Sequence, residues 1–502
     1  MRDDLGKGEL SAAPGAVASV GVGHGESTIA LPRVAYAGER LRVLRSRVAF
    51  SRPVYGLAAL GALFAGCLAV VVFAAAGPTV LVSSSAYSFP RWVAGPLSGV
   101  FGHLISDPLT LSYGLSAVVL AMTVAYGIAL ASVRLLSMRT IVIAIVAFHA
   151  VLLLSPPLQL TDLFNYLGYA RLGALHQLNP YTHVIANAQH DPIYGLTSWH
   201  NMPSPYGPAF TLLTYPLALM PLPVAYWVLK VATMLASLGF IALVWRCARQ
   251  LGHDPRFAVL FVAANPIFLI YELGGFHNDV FMLVPAMASI SLLLGGRDRW
   301  SGAALTLAVA VKFTMVLLLP FLLLAARPPR RRARFLIGAA LSAVPLIAAS
   351  IAAFGFSIPN LSDQSTILTA FSGPNLVGLL LGLGGAAPML LRVTNVVAVI
   401  VVALLVANVA RGRRDWLSGA GLATLVLLAS MAWLMPWYIV WLLPLAAIGS
   451  SVRLRRAALA VTLFLVLSFV PATGILLAQL HINPTGSSVG QAANARWERL
   501  AQ

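Results

Sequence analysis

One carboxylate stands out in this sequence as a candidate for catalysis. Asp162 opens a predicted helical stretch, and the spacing of Asp162, Tyr166, Tyr169 and Gly173 brings the carboxylate and two phenols to nearby faces of one helix. A carboxylate in that position could act as a general base and deprotonate a hydroxyl nucleophile. The structural alternative is that Asp162 only caps the helix N-terminus.

A second cluster of polar residues follows a pair of glycines. His277, Asn278 and Asp279 offer a titratable ring, an amide that donates and accepts, and an acceptor. This set could bind phosphate or sugar oxygens, and the preceding Gly274-Gly275 allows the tight turn that would present it. A turn capped by the side chain of Asn or Asp is the structural alternative.

Two of the three lysines fall within apolar runs. Charges at membrane depth are costly and tend to mark function. Lys312 lies at a predicted helix break, which favours a contact with a lipid phosphate. Lys230 could equally extend to the interface or pair with an acid.

Aromatic motifs complete the candidate site. Tyr206 belongs to the rigid turn PSPYGP at 203–208, and Trp437 and Tyr438 begin PWYIVW at 436–441. The second motif fits an interfacial aromatic belt, or could stack on a sugar ring or prenyl unit. The predicted outer loops contain no DxD pair and the chain has no zinc-spaced His/Cys cluster, so we predict no metal and no other cofactor. The lack of a Gly-rich phosphate loop argues against a nucleotide-bound donor.

The elements that must position these residues are transmembrane helices. The chain of 502 residues is 59% hydrophobic and only 10% charged, with a mean hydropathy of +0.86. These values predict an all-α polytopic membrane protein, which we expect to form a bundle of about 13 transmembrane helices with extracytoplasmic loop helices. The net charge of +18 comes from short arginine clusters between apolar runs. Such clusters are typical of cytoplasmic loops, so they predict a multi-pass cell-membrane protein rather than binding to nucleic acid.

The same arginine clusters define the predicted regions and their sides. Residues 1–50 are predicted to be a disordered cytoplasmic tail, 51–485 the transmembrane domain and 486–502 a C-terminal tail. The polar segment 157–222 becomes the main extracytoplasmic loop. By this orientation, six acids face outward, and an outer active site must draw on them: Asp107, Asp162, Asp191, Glu272, Asp279 and Asp363.

The order of these motifs resembles the integral-membrane GT-C glycosyltransferases. An Asp-x-x-x-Tyr stretch, NPY, PxPYGP, HND, a lysine in a broken helix and PWY follow one another over about residues 110–450. They are most similar to those of the actinobacterial polyprenol-phosphomannose-dependent α-1,6-mannosyltransferases. The resemblance implies transfer of a hexose, expected to be mannose, from a polyprenyl-phosphate donor to an envelope glycan or glycolipid acceptor, with inversion and with Asp162 as the base.

The resemblance also implies the contacts to substrate. His277, Asn278 and Asp279 match its HND motif. Lys312, His277 and Arg171 would hold the phosphate, since charge-assisted contacts are strong. The expected partners are the polyprenyl-phosphate sugar, the acceptor and membrane lipid.

Three alternatives remain open from the sequence. The chain could be a transporter or flippase of envelope precursors, although its polarity is concentrated on one predicted side. It could be a non-catalytic scaffold of envelope synthesis. As an enzyme, it could use polyprenyl-phosphate arabinose or glucose as its donor.

Overall fold

A computed structural model describes residues 52–76, 90–101, 107–158, 162–360 and 367–501. All of them belong to one compact unit, Phe50–Gln502. The predicted tail 1–50 and the predicted outer acid Asp363 lie outside the described residues. Within those residues the secondary structure is helical, without an extended β-strand, which confirms the predicted all-α class.

The described part of the chain contains eighteen α-helices of six or more residues. In the first half they are α1 (Pro53–Ala75), α2 (Pro108–Ala131), α3 (Met138–Leu153), α4 (Asp162–Ala174), α5 (Pro208–Ala218), α6 (Leu222–Gln250), α7 (Pro255–Ala263), α8 (Asp279–Leu294) and α9 (Asp298–Val311). In the second half they are α10 (Leu319–Ala325), α11 (Pro329–Phe354), α12 (Gly373–Leu380), α13 (Pro388–Ala410), α14 (Trp416–Ser430), α15 (Leu443–Ile448), α16 (Val452–Phe469), α17 (Pro471–Gln479) and α18 (Ser488–Ala501).

Five described helices are long and apolar enough to cross a bilayer individually: α1, α2, α6, α11 and α13. The pair α16 and α17, bent by 58°, gives a sixth crossing if it is counted as one broken span. These helices agree with a polytopic membrane protein. The number of about 13 crossings is not confirmed and stays a prediction, because the other apolar helices are short or interrupted.

Local sequence signals begin many of these helices. The Asp107 carboxylate accepts a hydrogen bond from the Thr110 amide at 2.7 Å at the start of α2, and Ser137 caps α3 through the Thr140 amide at 3.0 Å. Proline in the first turn begins several others, because its missing N–H would have no partner there.

Three helix interruptions lie next to one another and form the framework of the candidate site. After α7 the chain passes through a π-helical segment, Phe268–Leu273, and turns into α8. After α9 it is extended at Lys312 and continues as the 3-10 helix Phe313–Leu318. After α14 it forms the 3-10 helix Pro436–Trp441. Irregular backbone at membrane depth is tolerated where it is buried in protein or lines a cavity.

The described part of the predicted outer loop 157–222 is ordered around α4. Tyr169 donates its hydroxyl proton to the Met202 carbonyl at 2.7 Å, and the Asn179 amide reaches the Phe354 carbonyl at 2.7 Å. Near its C-terminal end the loop contains the 11-residue helix α5. These contacts hold the loop against the helical bundle.

Candidate active site

Asp162 is the first residue of α4, and its carboxylate faces the turn that precedes α8. Its Oδ2 atom lies 3.1 Å from His277 Nδ1. The side chain of Asp162 is 16% exposed, whereas that of His277 is 1% exposed. The side chain of Trp199 also approaches the Asp162 carboxylate as a donor, and this contact lowers the pKa of the carboxyl. The base predicted from sequence is thus partly buried and held from two sides.

The surroundings of Asp162 keep it ionised. Burial alone would raise the pKa of this carboxyl, because it penalises the charged form. The contact with His277, the charges of His277 and Lys312, and the contact with Trp199 together outweigh burial, so the pKa is lowered from its ordinary value. The carboxylate is therefore unprotonated at neutral pH and able to accept a proton.

Asn165, one turn further along α4, fixes the segment that carries Trp199. Its side-chain oxygen accepts hydrogen bonds from the backbone amides of Ser198 at 3.0 Å and Trp199 at 3.3 Å, and its amide donates to the Ser198 hydroxyl at 3.2 Å. Asn165 itself is fully buried. The first turn of α4 therefore positions both the carboxylate and the indole that contacts it.

The turn before α8 is strained just where it presents His277. Phe276 has a φ of 54°, in the left-handed region that bulky residues rarely adopt. A Cβ atom on Gly275 would lie 2.4 Å from the Tyr271 carbonyl oxygen and 2.6 Å from His277 Nε2. Glycine is thus required at position 275 because neighbouring atoms approach its backbone closely. The left-handed conformation of the turn falls on Phe276 instead. Such strain occurs most often at functional sites.

The ring of His277 lies flat on Trp437, with centroids 3.8 Å apart and planes 10° from parallel. Tyr438 follows edge-on to Trp437 and stacks on Trp441, with centroids 4.6 Å apart. The PWYIVW motif therefore forms one wall of the site instead of an isolated interfacial belt.

Lys312 and Asp279 form an ion pair beside this aromatic wall. The Lys312 ammonium donates to Asp279 Oδ1 at 2.7 Å and lies 5.1 Å and 5.2 Å from the ring centres of Trp441 and Tyr438. Trp441 also donates its indole N–H to Asp279 Oδ1. The Asp279 side chain is 1% exposed and that of Lys312 is 20% exposed, so the ammonium keeps access to a ligand.

Tyr166 connects the Asp162 helix to the HND turn. Its hydroxyl accepts a hydrogen bond from the backbone N–H of Asn278 at 3.0 Å. Its ring meets that of Tyr206 edge-on, with centroids 4.8 Å apart. The next residue, Gly207, donates its amide to the Val311 carbonyl at 3.1 Å. A Cβ atom there would collide with the carbonyl oxygens at 310 and 311. The PSPYGP turn is thereby fixed against the helix break at Lys312.

Several buried polar atoms at the site have no hydrogen-bond partner among the described residues. They are both carboxylate oxygens of Glu272, both ring nitrogens of His277, Asn278 Nδ2 and Asp279 Oδ2. His277 Nδ1 is within ion-pair distance of Asp162 at 3.1 Å, but the geometry of this contact is not that of a hydrogen bond. Buried polar groups are normally hydrogen-bonded, because an unpaired one costs about 1–3 kcal/mol. Six such atoms between residues 272 and 279 are what a site for a polar ligand would present.

Two predicted residues have other partners. Arg171 is nine residues from Asp162, which places it about 13 Å along α4 and on the opposite face. Its guanidinium binds Asp191 at 2.8 Å. Lys230 in α6 donates to the Ser155 carbonyl at 2.7 Å and lies 4.0 Å from the ring centre of Trp227. We therefore leave Arg171 out of the proposed phosphate contacts, and Lys230 pairs with a carbonyl and aromatic rings instead of an acid.

Three residues of the site were not selected from the sequence. Glu272 could have been found, since it is one of the six predicted outer acids. The signal for Trp441 was weak, because it belongs to the PWYIVW motif but is not one of its first aromatics. Trp199 lies in a polar stretch without periodicity, so the sequence carries no signal for its contact with Asp162.

Within the described ranges, no group of three or more His, Cys, Asp and Glu side chains is close enough to hold an ion. The prediction of a site without a metal or other cofactor stays a prediction.

The fold and site define a class: a polytopic α-helical membrane protein with a carboxylate, an imidazole and an ammonium gathered where helices are interrupted. Comparison with known proteins gives the family. Residues 58–328, more than half of the chain, match the family described as alpha-(1->6)-mannopyranosyltransferase, N-terminal domain. Residues 366–489 match the MptB C-terminal domain. The chain belongs to this mannopyranosyltransferase family, which confirms the resemblance seen in the sequence.

Individual relatives agree with the family match. The chain is 31% identical over 351 residues to alpha-(1->6)-mannopyranosyltransferase A of Mycobacterium tuberculosis, covering 63% of this chain and 66% of the relative. It is 25% identical over 352 residues to alpha-(1->6)-mannopyranosyltransferase B of Corynebacterium glutamicum, covering 60% and 57%. The match thus spans less than two thirds of each of these relatives, 66% of the first and 57% of the second. No solved structure matches the chain.

Proposed function

We propose that this protein is a membrane glycosyltransferase that moves mannose from a polyprenyl-phosphate carrier to a hydroxyl of an envelope glycan or glycolipid. The observation that carries the proposal is the contact of 3.1 Å between Asp162 and His277, beside the Lys312–Asp279 pair. A base and a cation are thus close enough to act on one substrate. The names of the relatives support mannose as the sugar and an α-linked product.

In the proposed reaction, an acceptor hydroxyl oxygen attacks the anomeric carbon of the donor from the face opposite the phosphate. The bond between that carbon and the phosphate oxygen breaks, and polyprenyl phosphate leaves with the bonding electrons. Asp162 takes the hydroxyl proton as general base. A single displacement of this kind inverts the anomeric centre.

The leaving phosphate gains negative charge, which a cation in a water-poor site stabilises strongly. Lys312 is the proposed contact, since its 20% exposed ammonium has two further N–H bonds beyond the one given to Asp279. The unpartnered His277 Nε2 and Asn278 Nδ2 would donate to phosphate or sugar oxygens, and the unpartnered oxygens of Glu272 would accept from sugar hydroxyls.

The isoprenoid tail of the donor must reach the site from the bilayer. The helix interruptions place irregular backbone at the site, and such backbone is tolerated at membrane depth where it lines a cavity. We propose that the site faces the extracytoplasmic side, because the arginine clusters mark the other side as cytoplasmic. Polyprenyl-phosphate arabinose or glucose would fit the same phosphate contacts, so the donor sugar needs a direct test.

The test is transfer by purified protein in proteoliposomes containing polyprenyl-phosphate mannose and a mannoside acceptor, followed by mass spectrometry and NMR of the product. Asp162→Asn should lower the rate by about 10²–10⁴-fold. Asp107→Asn is the matched control: Asp107 caps α2, and asparagine caps nearly as well, so full activity is expected. Full activity of Asp162→Asn would refute the role of the base. Movement of a labelled precursor across the bilayer without product would favour the transporter alternative.

A further inference from the structure

The C-terminal helix α18 lies over the same loop that carries the contacts to Asp162. The backbone N–H of Asn201 donates to the Leu500 carbonyl at 3.1 Å. Before the helix, the Pro484 carbonyl accepts a hydrogen bond from the side-chain amide of Asn375 at 3.2 Å. The Ser487 hydroxyl donates to the Gly384 carbonyl. Because the family matches end at residues 328 and 489, almost all of α18 lies beyond them.

This packing gathers three tryptophans from distant parts of the chain. The ring of Trp199 meets that of Trp433 with centroids 6.1 Å apart, and that of Trp497 with centroids 6.4 Å apart. Both contacts are edge-to-face, at 71° and 83°. We call these three residues the tryptophan row. Trp497 remains 43% exposed, and the other two are half-buried, so the row presents open aromatic surface.

The row is physically continuous with the candidate active site. Trp199 donates its backbone N–H to the side-chain oxygen of Asn165, one turn from Asp162 on α4, at 3.3 Å. Trp433 lies three residues before the 3-10 helix Pro436–Trp441 that forms the aromatic wall. A substrate that places one hydroxyl at Asp162 and extends past Trp199 would therefore reach Trp433 or Trp497. The donor has a different requirement, because its phosphate must lie at Lys312 and its tail in the bilayer.

We infer that the tryptophan row binds the sugar residues of the acceptor glycan that lie behind the reacting one. Sugars have apolar C–H faces that pack on aromatic rings, while their hydroxyls need polar partners at the rim. Asn201 and Glu498 are exposed polar residues that lie two residues after Trp199 and one residue after Trp497 in the chain. This inference rests on the proposed function, and it predicts that acceptors of several sugars are used better than short ones.

The experiment compares an α-linked mannose disaccharide with a hexasaccharide as acceptors in the proteoliposome assay. An aromatic contact of ordinary strength changes binding by about threefold to tenfold. Trp497→Ala should therefore lower kcat/KM for the hexasaccharide by about that factor and leave the disaccharide unaffected, whereas Trp497→Tyr should retain most of the preference. Trp300→Ala is the control. Trp300 is 70% exposed but lies at the start of α9, about 18 Å along that helix from Lys312.

A Trp497→Ala variant that loses both acceptors equally, or neither, would overturn the inference. Titration of the unmodified protein with the hexasaccharide alone, followed by tryptophan fluorescence, tests binding without the reaction. If the unmodified protein transfers to neither acceptor, the proposed function fails. In that case the titration still decides the row separately, since unchanged fluorescence or equal binding by Trp497→Ala would refute it.

Discussion

The pH dependence of sugar transfer offers a direct measurement of the contact between Asp162 and His277. A general base works when unprotonated, so kcat/KM falls as the pH drops through its pKa. In the unmodified protein the pKa of Asp162 is lowered, and activity should persist down to a midpoint below the ordinary value of 3.8. His277→Ala removes a group in contact with Asp162 that lowers the pKa of its carboxyl. Burial, which raises that pKa and is the largest single cause, stays in place.

The midpoint should therefore move to higher pH in His277→Ala. A hydrogen-bond contact to a charged group contributes about 1.5–3 kcal/mol. When each protein is normalised to its own value at neutral pH, the acid loss of kcat/KM should be about 10- to 150-fold larger in the variant at pH values below both midpoints. His277→Asn keeps a donor near Nδ1, so its midpoint should fall between those of the other two proteins.

The assay is the initial rate of transfer in proteoliposomes at subsaturating donor, from acid to neutral pH. Trp437→Phe is the control, because it keeps an aromatic ring against His277 without altering the groups that contact Asp162. An equal loss of activity at every pH in His277→Ala, with an unchanged midpoint, would refute the electrostatic reasoning. It would instead show that His277 acts only through binding or packing.

Two further predictions concern the cations. Lys312→Met would leave the 1% exposed Asp279 without its counter-ion and should destabilise the protein by about 3–5 kcal/mol, seen as a lower unfolding temperature in detergent. The double variant Lys312→Met/Asp279→Asn should recover most of that stability but not the transfer activity, and a double variant that transfers normally would contradict the phosphate contact. Arg171→Gln should lower the unfolding temperature through loss of the Asp191 pair and leave KM for the donor unchanged. A tenfold increase in KM for the donor would show instead that Arg171 contributes to donor binding.

The sequence alone determined the class of this protein and indicated the residues of its candidate site. Long apolar runs separated by arginine clusters leave few options besides membrane helices, because a soluble chain could not cover that much apolar surface. The scarcity of acids, together with the order of short motifs, then indicated Asp162, the HND turn and Lys312. Those signals come from neighbouring residues in the chain, so they can be read without knowing the tertiary structure.

Only the tertiary structure decided which of these residues meet. Helical spacing placed Asp162 on a face of α4, but it could not show that His277 and Trp199 meet that face or that Arg171 turns to Asp191. The Asp279 contact with Trp441 joins residues 162 positions apart. Such pairs depend on how interrupted helices pack against one another, and the number of crossings stays open because an interrupted apolar helix and a full span share the same local hydrophobic pattern.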